Sequence, residues 1–149
     1  MADLAVRERA IHRLDILGRQ LGRVEAGDLY RIVTDGRSID RDVLRRRAEA
    51  AAADAGLADL LRDARQRFVD WADEAFRRAG YDPSWIALNW GRSLGTAEDR
   101  AAAFRTIDDA VVATVAHELI PEPDRRELRE PFDRMLALRP ERRARADEH

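Results

Sequence analysis

Residues 57–79 constrain the fold more than any other stretch. Leu57, Leu60, Leu61, Ala64, Phe68, Trp71, Ala72, Ala75, Phe76 and Ala79 recur at steps of three and four, the spacing of one face of an α-helix and not the alternation of a strand. Asp59, Asp63, Asp70 and Asp73 alternate with Arg62, Arg65, Arg67 and Arg77 around the opposite side. Acid precedes base at i,i+4 in Asp63 with Arg67, Asp73 with Arg77 and Glu74 with Arg78, pairs each worth about 0.2–0.5 kcal/mol in a helix. Gly80 then supplies a left-handed stop. A helix of this length with one greasy face needs other helices to cover it.

The rest of the chain provides them. Leu4, Ile11, Leu14, Leu17, Leu21 and Val24 define an amphipathic helix over 3–24. The apolar cluster Leu29, Tyr30, Ile32 and Val33 reads as a short helix between Asp28 and Gly36, because a strand there would have no partner. Asp40 caps a helix that runs to Gly56. Asp82 and Pro83 open one over 83–94, and Thr96 with Asp99 forms a capping-box-like start for one over 97–119. A last helix over 123–137 carries Leu128, Phe132, Met135 and Leu136, and Pro131 should kink or split it.

The fold expected is all-α: one helical domain over 1–138, a bundle of about five to six helices, with residues 139–149 as a flexible charged tail. Its core should gather Leu14, Leu61, Phe68, Trp71, Phe76, Trp90, Phe104, Ile107, Val111 and Phe132. Leu, Ile, Val and Phe supply 34 of 149 residues, about 23%, above the level of ~20% below which high charge implies disorder.

Charge narrows the function. The 27 basic residues are all arginine and face 29 acidic ones, for a net charge of −2, so no overall field draws the chain to nucleic acid or an anionic membrane. A GC-rich coding sequence produces the arginine bias on its own, which discounts arguments built on arginine. The basic clusters at Arg45–Arg47, Arg125–Arg126 and Arg142–Arg145 each have acids alongside, the pattern of a salt-bridged surface. There are no cysteines and three histidines, so no metal or cofactor is expected, and a cytoplasmic location without a membrane span is the default.

Two anomalies remain. "PSWIALNWGRSLGTA" (83–97) has one charge, Arg92, in a chain that is 38% charged. A helix apolar nearly all round is one enclosed by neighbours, so 83–94 is expected as a short central Trp-rich helix. Trp85, Asn89, Trp90 and Arg92 are also the residues a ligand pocket or partner face would use. Glu118, in the last turn of the 97–119 helix, falls on the apolar stripe of Phe104, Ile107, Val111 and Val115, which demands a partner or water. Arg92 is one candidate partner.

Three functions follow. The first is a non-enzymatic interaction module that self-associates or docks a protein partner, because the 3–24 helix has a longer apolar stripe than one domain need cover. The second is a small-molecule binding bundle with Trp85, Asn89, Trp90, Arg92 and Glu118 as its pocket. The third is a hydrolase-type enzyme with His117 and Glu118 as base and acid, lacking an identified third group.

Overall fold

The computed structural model describes residues 4–24, 39–78 and 97–147. They form five helices: α1 Leu4–Gly22, α2 Ile39–Asp54, α3 Ala58–Arg78, α4 Ala97–Val115 and α5 Glu122–Asp147. Among the described residues there is no strand, so the all-α expectation holds. The segment 25–38, read as a short helix, lies outside the described residues, and so does 83–94 with its tryptophans.

α4 is the hub, packing against each of the other four helices, while α2 also meets α3 and α5 and α1 meets α3. The reason is visible in its sequence. From Thr106 to Ala116 every residue but Asp108 is buried, and the run AVVATVA has side chains small enough to admit neighbours on all sides. The core around it comprises Leu14, Leu17 and Leu21 of α1, Leu44 and Ala48 of α2, Leu61, Ala64 and Phe68 of α3, and Leu128, Phe132 and Met135 of α5. Of the ten core residues expected, Leu14, Leu61, Phe68, Ile107, Val111 and Phe132 are buried. Trp71 and Phe104 are half-buried against that core. The side chain of Phe76 and all of Trp90 lie outside the described residues.

The corner between α2 and α3 is closed by the residue the sequence marks for it. Gly56 has a φ of 77°, a conformation that crowds a Cβ and that glycine adopts freely. Its N–H donates to Ala53 O at 3.0 Å and that of Leu57 to Ala52 O at 2.8 Å, the paired bonds of a Schellman ending. Leu57 and Ala52 are both fully buried, so the same turn seals the core.

Two boundaries differ from the sequence reading. α4 stops at Val115 rather than 119, and 116–120 form a turn with Leu119 N–H on Ala116 O at 2.8 Å. α5, expected to end near 137 and to kink or split at Pro131, is not split there and runs to Asp147. A proline inside a helix costs about 3 kcal/mol in propensity, but Pro131 itself is buried between Leu128 and Phe132, which are fully buried. Packing of that face offsets the missing hydrogen bond. Past 137 the backbone stays helical where only the tail was expected. Arginine, alanine and glutamate there are good helix formers, Pro140 is not, and no apolar stripe runs through the segment.

Candidate functional site

The described polar side chains collect in two places. One lies between α2, α3 and α4. Arg45 of α2 donates from Nη1 to Asp109 of α4 at 2.7 Å and from Nη2 to Asp42 at 2.7 Å. Arg65 of α3 makes a two-pronged contact with Asp108, 2.8 and 3.1 Å, and a 2.7 Å bond to Glu49 of α2. Arg45 Nε is 3.7 Å from Asp108, which links the two halves. Asp109 is only 5% exposed, and burial, outweighing its bond to Arg45, pushes its carboxyl up to about 6. Sequence reasoning passed over Asp108 and Asp109. The signal was there: a pair of acids immediately before AVVATVA on a helix that must be enclosed.

The second place is the junction of α1 with the 116–121 turn and the start of α5. Of the predicted pocket residues Glu118 is the one that the structure describes, and it lies here beside His117, the expected base of the enzyme reading. Because α4 has ended, Glu118 leaves the apolar stripe and turns toward α1. It accepts from Arg9 Nε at 2.8 and 2.7 Å and from Arg13 Nη1 at 3.1 Å. Those two hydrogen bonds hold its carboxyl down at about 2. The expected partner, Arg92, lies outside the described residues, as do Trp85, Asn89 and Trp90. A carboxylate held that low is ionised throughout the neutral range and carries no proton to donate.

The turn itself is organised by Arg125 of α5, whose Nη1 donates to the carbonyl oxygens of His117 and Ile120 at 2.7 and 2.6 Å. These are carbonyls of the turn that follows α4, and a cation just past the helix end also meets its negative pole. His117 is half-buried beside it. Burial, and after it the charges of Arg13, Arg125 and Arg129, push its imidazole below the ordinary value against the opposite pull of Glu118.

A third contact ties α1 to the start of α3: Arg7 forks onto Asp59 at 3.2 and 2.6 Å. The Arg7 bond comes first among the causes that hold the Asp59 carboxyl at about 2. The basic clusters also find acids, with Arg47 3.3 Å from Asp124 and Arg126 paired with Glu122. Asp73 pairs with Arg77 at 3.0 Å as the spacing predicts, whereas Arg67 lies over the Phe68 ring at 4.7 Å. Among the described residues no group of three His, Cys, Asp or Glu is placed to hold a metal ion. No described helix is long and apolar enough to cross a membrane.

The fold and its polar clusters define an all-α bundle held by buried aliphatics and inter-helix arginine–carboxylate pairs. No protein-family model, no curated protein and no solved structure matches the chain.

Proposed function

We propose that this protein is a non-enzymatic interaction module that pairs with a second copy of itself through the outer face of α1. The observation that carries the reading is the division of α1. Ala10, Leu14, Leu17 and Leu21 are buried in the bundle, while Leu4 is 74%, Ile11 42% and Ile16 40% exposed. Leu4 and Ile11 lie about 20° apart on the helical wheel, with Ile16 on the other flank of the polar strip, and burying them against another surface is favoured at about 25 cal/mol per Å2 of apolar area removed from water.

A second copy is the partner that the charges suit. Glu8, His12, Asp15 and Arg19 are all exposed and follow one another along the outer side of α1 at intervals of about one turn. In an antiparallel pairing, Glu8 faces Arg19 of the second copy and Asp15 faces His12 of the second copy, and two-fold symmetry repeats each pair.

Sedimentation equilibrium at micromolar concentration tests the proposal. The wild-type chain should show a concentration-dependent dimer, and Leu4→Glu with Ile11→Glu should sediment as a folded monomer. A wild-type monomer across the range would overturn the reading, and so would a dimer that survives both substitutions.

A further inference from the structure

α2 is attached to the bundle differently from its neighbours. Its buried apolar side chains, among the described residues, are Leu44, Ala48 and Ala52, where α3 brings Leu61 and Phe68 and α5 brings Leu128, Phe132 and Met135. Its charged side chains, in contrast, bond to every element it packs against. Arg45 Nη1 donates to Asp109 of α4 at 2.7 Å. Glu49 accepts from Arg65 of α3 at 2.7 Å. Arg47 and Arg41 lie 3.3 and 3.7 Å from Asp124 and Glu130 of α5. Asp109, 5% exposed, sits where α2 covers α4. The groups around it are Arg41, Asp42, Arg45 and Glu49 from α2, Asp108 beside it on α4, Arg65 from α3 behind Asp108, and Glu130 from α5 behind Arg41. From α1, Arg9 and Arg13 reach Glu118 instead, past the C-terminal end of α4. A carboxylate taken out of water loses more than one guanidinium restores, and burial, ahead of the bond to Arg45, lifts Asp109 to about 6.

We propose that α2 is a pH-gated cover on α4, closed while Asp109 holds its proton and released about the Gly56 corner once Asp109 is ionised. Release puts the carboxylate in water, where its charge is cheapest. The stabilisation that covering supplies is therefore fully present below the ordinary aspartate value of 3.8 and is lost as pH rises through about 6. Gly56, at a φ of 77°, is the residue of the α2–α3 corner that takes up a backbone change without a Cβ in the way. α3 keeps its own hold on α4 through Arg65 and Asp108 at 2.8 Å, so α2 can leave while the rest of the bundle stays closed. The gate goes beyond pairing through α1, which packs on α3 and α4.

Native-state hydrogen exchange of the full chain, followed by NMR and corrected for intrinsic rates, tests this. Between about pH 5 and about pH 7.5 the protection of the Leu44 to Ala52 amides should fall by about tenfold. Protection of the Ala10 to Leu17 amides of α1 should not fall over the same range. In Asp109→Asn, which has no proton to lose, the α2 amides should be equally protected at both values. If that variant fails to fold, the carboxyl carbon resonance of Asp109 in the wild type decides, and should titrate near the midpoint of the α2 change. Unchanged α2 protection, an equal fall in α1, a dependence that persists in the folded variant, or an Asp109 midpoint in the ordinary aspartate range would each overturn the proposal.

Discussion

At the scale of single residues, ionisation separates the two polar clusters. Asp109 has its folded value raised from 3.8 to about 6, so its contribution to stability is fully present below 3.8 and is lost as pH rises through about 6. Asp59 and Glu118 are lowered from 3.8 and 4.5 to about 2. Their contributions are present above those ordinary values and disappear as pH falls toward about 2. From these three groups the melting temperature should peak at about pH 4, where Asp59 and Glu118 are ionised and Asp109 still holds its proton in the fold, and should have declined by about pH 6. In Asp109→Asn the decline from the peak toward neutral pH should flatten, and in Glu118→Gln the acid-side loss should shrink; thermal melts across that range check both. Gly56 is the other decisive residue. Alanine there retains the 77° φ only at a cost of about 1–2 kcal/mol, so urea unfolding of Gly56→Ala should give a lower midpoint with an unchanged slope.

At the scale of elements, α1 offers the opposite case. Gly18 sits inside the helix, and a Cβ there would meet Phe68 Cε1 at 3.9 Å, an ordinary contact. Gly18→Ala should therefore stabilise the protein by about 0.5–1 kcal/mol, read as a higher urea midpoint. The long helices were legible because their stripes are long: α3 was expected over 57–79 and found over Ala58–Arg78. What sequence reasoning missed were ends tied to side-chain contacts. The turn after α4 is held by Arg125, which bonds the carbonyls eight and five residues earlier, and no propensity reveals that. The wheel position of Glu118 was correct for a helix that continues, and misleading for one that stops. The continuity of α5 across Pro131 likewise rests on Leu128, Phe132 and Met135, because a face so well packed outweighs a local breaker.

At the scale of the whole molecule, one helix organises the rest. α4 touches every other described helix, so the loss of a large side chain against it should be felt throughout. Phe132 is fully buried, and Phe132→Ala should cost about 3–5 kcal/mol in denaturant unfolding. The arginine–carboxylate pairs lie around that apolar centre, joining α1 to α3 through Arg7, α2 to α4 through Arg45, and α3 to α4 through Arg65. This arrangement gives α1 a buried inner face and leaves Leu4, Ile11 and Ile16 exposed.

Native-state hydrogen exchange reads that organisation directly. Amides of Ile107 to Val115 should be the slowest in the chain and exchange only through global unfolding, with α1 opening at lower free energy. Amides of that central helix exchanging as fast as those of α1 would contradict the account.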